Sequence, residues 1–296
     1  MKTTLYILVP FILIIICCSS ASKKPVSGSW TGEQIIEALN QGKNIHIKGA
    51  EIKGDLDFTK ISNRKSFGNQ AGYAHISSSI LFDSCVFLGR IIGQSMNNQY
   101  YEVCRFERPV QFHRCQFKSD INLSNAIFFD DFLLTESIVE QHMLMKASRF
   151  EQMCSFLQTH FLGNLEMQEC RLKGLFQAMD LEVGGTLNMQ QSDFFEDAQW
   201  GNAEVYGYWD ASLCFFRKGA FFNYSKCHKT MDFTDASFYH RFEILSSNIE
   251  GSLNLTNVWL QKSLLWNNTA VNGPVSLEGV KSSLKQPDTT ELKKSK

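Results

Sequence analysis

A glycine returns at one fixed interval along the second half of this chain. The series is Gly163, Gly185, Gly207, Gly251 and Gly273, with Lys229 at the one position where glycine is missing, and it defines a period of 22. A short segment of alternating apolar and polar residues follows each glycine. A period held this long without insertion or deletion is the signature of a solenoid, in which each repeat stacks on the previous one. The sequence therefore predicts the architecture of the protein more strongly than its function.

Within each period the apolar residues form columns, which are positions that recur once per period. Their alternation at period two marks short strands with one buried face. One column is dominated by Phe: Phe106, Phe128, Phe150, Leu172, Phe194, Phe216, Phe238 and Leu260. The column half a period away is mostly β-branched: Phe117, Val139, Phe161, Val183, Val205, Cys227, Ile249 and Val271. We expect the two columns to line different walls of a narrow tube of roughly nine or ten stacked coils.

The limits of the repeat divide the chain into segments. We predict a solenoid over residues 44–280, interrupted by an insertion at 60–79 and followed by a disordered polar tail at 281–296. Residues 23–43 are expected to form a linker and a short helix, with Thr31 as its N-cap. The helix would cover the open edge of the first coil, because an uncovered solenoid end invites aggregation.

Residues 1–22 have the three-part plan of a secretory signal. Lys2 precedes an apolar run from Leu5 to Cys18, which is short for a membrane span. The run ends in Cys17-Cys18 and resembles a bacterial lipoprotein signal, which implies lipidation of the cysteine. Simple cleavage after residue 21 or 22 is the alternative, and an uncleaved anchor is a third. We expect an exported protein of the bacterial cell envelope, in the periplasm or held at the membrane only through this segment.

The segment Ala50–Phe58 and the recurring Cys/Ala/Ser-x-Phe steps resemble pentapeptide-repeat proteins. The resemblance covers residues 45–280 and implies a right-handed parallel β-helix of square section. This chain departs from the family by alternating steps of five and six residues, so each coil of four steps is longer than one built from steps of five alone. A three-sheet β-helix of the polysaccharide-lyase type therefore stays open as an alternative.

Seven cysteines follow residue 22, and all fall in inward columns. They are Cys85, Cys104, Cys115, Cys154, Cys170, Cys214 and Cys227. No two are separated by exactly one period, so we expect free, buried thiols without cysteine neighbours in the stack. The spacing also contains no CxxC pair of the kind that binds zinc.

Outward positions carry apolar residues that we interpret as a partner surface. They are Ile127, Phe129, Leu133, Phe215, Phe221, Trp259 and Leu265. Clusters of exposed apolar side chains on adjacent faces are typical of protein interfaces, although covering loops are the alternative explanation. The insertion is the best place for a separate loop site, which would involve Arg64, Lys65, Tyr73 and His75.

Two further outward columns give weaker indications of a functional site. An Asn/Asp ladder (Asp57, Asn122, Glu166, Asn188, Asp210, Asp232 and Asn254) is either a row of oxygen ligands or, as we favour, a series of turn hydrogen bonds. A basic column of Arg105, Arg149 and Arg171 ends at Asp193. The seven histidines share no column, so the sequence predicts no catalytic pair, metal or cofactor.

Three functions remain open at this stage. The first is a non-catalytic envelope scaffold that binds a protein or forms a homodimer. The second is a carbohydrate-binding or polysaccharide-processing β-helix. The third, implied only by the family resemblance, is a DNA mimic that binds topoisomerase, but a net charge of -1 and an export signal both argue against contact with nucleic acid or its enzymes.

Overall fold

The computed structural model describes residues 28–66, 71–97, 100–262 and 264–283. The chain coils into one parallel β-solenoid of about eleven turns, with about 22 residues in each turn. The predicted all-β solenoid is therefore confirmed, with slightly more turns than expected. The predicted signal segment, including Cys17 and Cys18, lies outside the described residues, as does most of the predicted tail.

Each complete turn contributes four short strands, which stack on those of neighbouring turns into four sheets. We number these sheets as faces 1 to 4 in the order in which each complete turn passes through them. Faces 2 and 4 lie opposite one another, as do faces 1 and 3. Four sheets agree with the four faces expected from the resemblance and exclude the three-sheet alternative.

The strands of each face are given from the N-terminal to the C-terminal turn. Face 1 comprises Ile45–Lys48, Ile80–Asp83, Val110–His113, Phe132–Thr135, Cys154–Ser155, Phe176–Gln177, Ala198–Gln199, Ala220–Phe221, Phe242–Leu245 and Leu264–Asn267. Face 2 comprises Ser29–Thr31, Glu51–Lys53, Val86–Phe87, Gln116–Phe117, Ile138–Val139, His160–Phe161, Glu182–Val183, Glu204–Val205, Lys226–Cys227, Asn248–Ile249 and Ala270–Val271.

Face 3 comprises Leu56–Asp57, Ile91–Ile92, Ile121–Asn122, Met143–Leu144, Leu165–Glu166, Leu187–Asn188, Trp209–Asp210, Met231–Asp232, Leu253–Asn254 and Val275–Ser276. Face 4 comprises Arg64–Ser66, Ala71–Ile76, Gln94–Asn97, Tyr100–Phe106, Ile127–Phe128, Arg149–Phe150, Arg171–Leu172, Asp193–Phe194, Phe215–Phe216, Ser237–Phe238, Trp259–Leu260 and Lys281–Ser282.

Two antiparallel hairpins depart from this regular pattern on face 4. Arg64–Ser66 pairs with Ala71–Ile76, and Gln94–Asn97 pairs with Tyr100–Phe106. The strand Ala71–Ile76 also pairs in parallel with Tyr100–Phe106, and its alternate residues are buried. Part of the predicted insertion at 60–79 is therefore a wall of the solenoid, because the segment alternates as a buried strand does.

Both ends of the described solenoid differ in detail from the predicted boundaries. At the N-terminal end, Thr31 is the N-cap of helix Gly32–Asn40. Its side chain accepts a hydrogen bond from the Gln34 N–H at 3.1 Å. The helix buries Ile35, Ile36 and Leu39 over the first turn. A single-turn 3-10 helix spans Phe58–Lys60. At the C-terminal end, Lys281–Ser282 pairs with Trp259–Leu260, so the first residues of the predicted tail belong to the last turn.

The core is a set of side-chain ladders, as the columns predicted. In the Phe column of face 4, the rings of Phe106, Phe128 and Phe150 stack nearly parallel, with centroids 4.9 and 5.0 Å apart. Phe194, Phe216 and Phe238 repeat this stack at 5.0 and 4.7 Å. All of these rings are buried. The spacing matches the rise between hydrogen-bonded strands, so each ring rests on the next without a void.

Two of the four corners use left-handed backbone, which the sequence pattern did not reveal. From Arg114 to Asn268, every eleventh residue has a φ between 50° and 61°, and none of these residues is glycine. A left-handed conformation costs an L-residue about 1–2 kcal/mol. The N–H groups remain bonded to the next turn, as from Ala147 to the carbonyl of Gln168 at 2.8 Å. The left-handed residue is the extra member of each six-residue step. Its hydrogen bond to the next turn offsets the cost of this backbone conformation.

The glycine column lies at the corner between faces 2 and 3, where neighbouring turns approach closely. A Cβ at Gly163 would lie 2.4 Å from the carbonyl oxygen of Gln141, and one at Gly207 would lie 2.3 Å from that of Gly185. Neither glycine has a positive φ. Close approach of two backbones explains the period that the sequence shows.

The small inward residues beside the left-handed corners form a hydrogen-bond ladder. The Ser148 hydroxyl donates to the carbonyl of Leu123 at 2.8 Å, and the Cys170 thiol donates to that of Met145 at 2.9 Å. Cysteine and serine therefore both donate a side-chain hydrogen bond to a backbone carbonyl at these positions. All seven described thiols are free and buried, as predicted.

One expectation about the thiols is wrong. Cys85 and Cys115 directly precede Val86 and Gln116, which are register partners on face 2, so the two cysteines are neighbours in the stack. The hairpin segment that contains Gln94–Asn97 lengthens this turn, so the pair does not show the usual separation of one period.

Phe150 tests the aromatic ladder. Phe150→Ala is expected to lower the free energy of unfolding by about 3–5 kcal/mol, because a cavity opens between the ring of Phe128 and the side chain of Leu172. Phe150→Leu is the matched control and should cost only about 1 kcal/mol, since Leu172 and Leu260 already occupy the same column. Urea denaturation followed by circular dichroism measures both values. Equal losses for the two variants would contradict the ladder as a source of stability.

Candidate functional site

The apolar residues predicted as a partner surface lie along one edge of the solenoid, between faces 4 and 1. Ile127, Phe215 and Trp259 share an outward column on face 4, linked through strand register. Leu133, Phe221 and Leu265 share an outward column on face 1. Phe129 follows the face 4 strand that contains Ile127.

The structure divides these residues into two groups instead of one surface. The N-terminal patch comprises Ile127, Phe129 and Leu133. The C-terminal patch comprises Phe215, Phe221, Trp259 and Leu265. The two patches are four turns apart, about 19 Å at the strand spacing, and polar or charged residues occupy both columns between them.

The N-terminal patch is engaged by its own chain. The guanidinium of Arg105 lies 4.1 Å from the ring centroid of Phe129. Ile127 lines a cleft of about 370 Å³ together with Tyr73, Tyr101 and Val103 from the two hairpins. All three patch residues are half-buried. This patch is therefore the less open of the two.

The C-terminal patch is more accessible and has basic surroundings. Phe215 is 41% exposed and Leu265 is 36% exposed, which places both among the most exposed large apolar residues of the described chain. Phe221 and Leu265 line a cleft of about 550 Å³ with the basic side chains Lys218, Arg241 and Lys262. Asp197 also lines this cleft, and Lys218 and Arg241 are paired with Glu196 and Glu243, so an apolar segment suits its floor better than a strongly acidic one.

Face 4 also carries a strip of alternating cations and aromatic rings, which the sequence analysis did not predict. Arg171 lies 4.9 Å and Arg217 4.6 Å from the ring centroid of Phe195. Arg217 also approaches Tyr239, whose ring meets Trp259 of the C-terminal patch edge-to-face at 5.0 Å. The signal was the column two residues after that of Arg105, Arg149 and Arg171, which mixes aromatic and charged residues: Phe129, Glu151, Lys173, Phe195, Arg217 and Tyr239.

Several cations of this strip are also paired with acidic groups. Arg217 makes two hydrogen bonds to Asp193, at 2.7 and 2.8 Å, and this raises the pKa of Arg217. Glu151 contacts both Arg149 and Lys173. Burial acts to raise the pKa of Glu151, but the two cations outweigh it and the pKa is lowered. The strip is thus a satisfied ion network with stacked rings, which leaves little unpaired positive charge.

The predicted loop residues come together on the first hairpin of face 4, where Lys65 pairs with Tyr73 across the strands. The guanidinium of Arg64 donates hydrogen bonds to the carbonyls of Thr59 and Ile61, at 2.6 and 3.0 Å. These bonds stabilise the end of the 3-10 helix. His75 contacts Glu107 at 2.7 Å. Arg64 and His75 therefore make structural contacts. Residues 67–70, within the predicted loop, lie outside the described residues.

Asp57 and most of the Asn/Asp ladder of face 3 form turn hydrogen bonds, as favoured from the sequence. The carboxylate of Asp232 accepts hydrogen bonds from the N–H and the hydroxyl of Thr234, at 2.8 and 2.6 Å. Asp57, Asn122, Asn188, Asp210 and Asn254 make the same backbone bond two residues on. Their oxygens stabilise the coil, and Glu166 instead accepts hydrogen bonds from neighbouring amide side chains.

A cluster on face 2 was missed from the sequence because its members come from two different columns. His228 lies between Glu204 and Glu250, with nitrogen–oxygen distances of 2.7 and 2.8 Å. The ring of Tyr206 stacks on the imidazole at 4.4 Å. The contact with His228 is the main reason that the pKa of Glu204 is lowered. Both imidazole nitrogens are engaged, so the cluster is built as a closed ion network.

Within residues 28–66, 71–97, 100–262 and 264–283, no group of three or more His, Cys, Asp or Glu side chains is placed to hold a metal ion. Over the same residues, no helix has the length and apolar character needed to cross a membrane. Comparison with protein-family models, curated proteins and solved structures finds no match to this chain.

Asp83 connects the first turns of face 1 electrostatically. Its carboxylate lies 2.8 Å from the Lys48 ammonium and 2.8 Å from the Arg114 guanidinium, which belong to the turns on either side. Burial acts to raise the pKa of Asp83, but the hydrogen bonds from Lys48, Arg114 and Ser84 outweigh it and lower the pKa strongly. The ionised carboxylate therefore stabilises the folded state.

Asp83→Asn is expected to lower the free energy of unfolding at pH 7 by about 1 kcal/mol. Because the folded-state pKa lies below the unfolded value of about 3.9, this stabilisation is present above that pH and fades as the pH falls. Urea denaturation from pH 7 to pH 2 should show a constant difference between the two proteins down to about pH 4 and a smaller difference below it. Glu166→Gln, whose partners are the amides of Asn164 and Gln168, is the control. A difference that did not shrink between pH 4 and pH 2 would contradict the ion-pair explanation.

Proposed function

We propose that this chain is an exported, non-catalytic scaffold of the cell envelope, which binds a protein through the C-terminal patch. The observation that carries the proposal is that two columns bring apolar residues to one edge of a rigid stack at every second turn, with Ser237 and Glu243 in the turn between them. Phe215 and Trp259 approach this edge from face 4, and Phe221 and Leu265 approach it from face 1. The partner is expected to offer an apolar segment with an acidic residue opposite Lys262, because Phe221 and Leu265 form the floor of the cleft and Lys218 and Arg241 are already paired with Glu196 and Glu243.

The backbone behind the patch supports a role as a fixed platform. Phe215, Phe221 and Trp259 stand on strands that are paired in register on both sides, and Leu265 stands on the last strand of face 1, which is paired on one side. The layer beneath is closely packed, with Phe216, Phe238 and Phe242 buried. A surface that is fixed before binding loses little conformational entropy when the partner docks.

Two observations favour the scaffold over the other functions. Arg105, Arg149 and Arg217 of face 4 are paired with Glu107, Glu151 and Asp193, and Arg171 lies over the ring of Phe195, so this face offers little free charge to an acidic polysaccharide. The same basic groups stand along the rod, whereas a DNA mimic needs a strongly acidic surface. We also propose that the chain is a divergent pentapeptide-repeat protein, on the basis of its four-faced coils and its Ala50–Phe58 motif.

The patch is tested with Phe215→Ser, Phe221→Gln and Leu265→Gln in one variant. The fold should tolerate these changes, because Ser237 follows Phe215 in its column and Gln199 precedes Phe221 in its column. Ile138→Gln with Leu162→Gln, on exposed apolar residues elsewhere, is the matched control. The full chain is used to capture envelope proteins, and the captured proteins are quantified by mass spectrometry.

The patch variant should retain at most about one tenth of the specific partner, as expected from the loss of about 1.4 kcal/mol or more of binding energy. The control variant should retain it fully. Sedimentation analysis of the same proteins identifies self-association, which would make a second copy the partner. Equal capture by all three proteins, with monomers throughout, would refute the proposed surface.

We further propose that Cys18 is the lipidated residue that anchors the scaffold to the membrane. The support is the apolar run that ends in Cys17-Cys18. Growth with a fatty-acid analogue that carries a chemical tag should label the wild-type protein, and Cys18→Ser should abolish the label. Cys17→Ser is the control and should stay labelled. An unlabelled wild-type protein recovered without residues 1–22 would instead indicate simple cleavage.

A further inference from the structure

Two buried thiols occupy the same corner in consecutive turns near the N-terminal end. The N–H of Gln116 donates to the carbonyl of Cys85 at 2.9 Å, which places Cys115 directly over Cys85 in the stack. Stacked residues are about 4.8 Å apart, and disulfides join residues whose Cα atoms are about 4.4–6.8 Å apart. The pair therefore meets the main backbone requirement for a disulfide without any rearrangement of the turns.

The two side chains also have the same orientation. The Cys85 sulfur lies 3.4 Å from the carbonyl oxygen of Ile47, and the Cys115 sulfur lies 3.5 Å from that of Phe82. Ile47 and Phe82 are themselves register partners on face 1. Both sulfurs therefore point into the same interior corner, and both side chains are at most 2% exposed.

The other five described thiols lack such a neighbour. Through strand register, Cys104 stacks between Ala74 and Ala126, and Cys227 stacks between Val205 and Ile249. Cys154 has Phe132 and Phe176 as neighbours. Cys170 and Cys214 belong to the corner column of Ser148, Ser192 and Ala236. Only one stacked pair of cysteines therefore exists in the described chain.

We propose that Cys85 and Cys115 form an oxidisable pair, which closes into an inter-turn disulfide when the chain meets a small-molecule or protein disulfide. The thiolate of one cysteine attacks the oxidant disulfide and releases one of its sulfurs as a thiol. The second thiolate attacks the resulting mixed disulfide and releases the other sulfur. The two cysteines lose two protons and two electrons, and the oxidant is reduced to two thiols.

The closed corner makes the two sulfurs chemically unequal. The interaction with the Cys115 thiol, which is the largest influence, lowers the pKa of Cys85 to about 7. The same interaction and burial raise the pKa of Cys115. In the closed corner Cys85 therefore has more thiolate character than Cys115. Because both sulfurs are buried, the reaction takes place before this corner closes during folding, or when it opens.

The bond would close a loop that contains the second hairpin, Gln94–Asn97 and Tyr100–Phe106. This hairpin supplies Tyr101 and Val103 to the smaller cleft of face 4. Oxidation would thus fix the turn that carries the cleft and raise the temperature of unfolding. In a reducing compartment the same turn would stay open to rearrangement. The inference does not depend on the partner proposed above.

The test uses the full chain, unfolded in urea and refolded with either oxidised glutathione or dithiothreitol. Remaining thiols are alkylated, and the protein is digested with trypsin without reduction. Cleavage after Lys65, Arg90, Arg114 and Lys118 places Cys85 in peptide 66–90 and Cys115 in peptide 115–118, while Cys104 falls in peptide 91–105. The oxidised sample should contain peptide 66–90 linked to peptide 115–118, and its unfolding temperature should be several degrees higher than that of the reduced sample.

Cys115→Ser should abolish both the link and the temperature difference. It is expected to fold, because Ser137 occupies the next position of the same column and its hydroxyl also bonds a carbonyl. Cys170→Ser is the control and should keep both effects. Two alkylated, unlinked peptides after oxidative refolding would overturn the proposal, as would links spread over the other thiols.

Discussion

The in-register hydrogen bonding of each turn to the next is the constraint on which the rest of the structure depends. It places every side chain above the residue one period earlier. Each inward side chain must therefore pack against the side chain at the same position of the neighbouring turn. Parallel Phe rings meet this demand because their centroid spacing of about 5 Å equals the spacing of the strands. The same register carries outward side chains into columns, and these columns create every candidate surface of the molecule.

The period made most of this architecture predictable from the sequence. The Phe column with Phe128 and the β-branched column with Val139 identified two opposite walls, and Thr31 identified the start of the capping helix. The left-handed corners were not predictable, because residues as different as Arg114, Ala147 and Leu213 occupy them. Their conformation is imposed by hydrogen bonds to the next turn, a tertiary effect that leaves no consistent residue type behind.

The candidate site shows the same division between predictable and unpredictable features. Register preserved the columns that contain Phe215 and Phe221, so the sequence identified the members of the C-terminal patch. It did not reveal that Arg105 contacts Phe129, because that contact joins two different columns. The Cys85–Cys115 neighbourhood was missed for another reason: the hairpin segment lengthens one turn, and a fixed period no longer identifies stacked residues there.

Regular and irregular turns therefore make different contributions. The regular turns give a straight edge on which Phe221 and Leu265 are held two turns apart, and the core beneath them leaves little freedom to move. The irregular turns lack this uniformity, and they contain the smaller cleft, the Arg64 contacts and the thiol pair. Insertions are tolerated there because a solenoid transmits contacts only between adjacent turns. A change in one turn can thus add a local feature while the edge that carries the C-terminal patch stays unaltered.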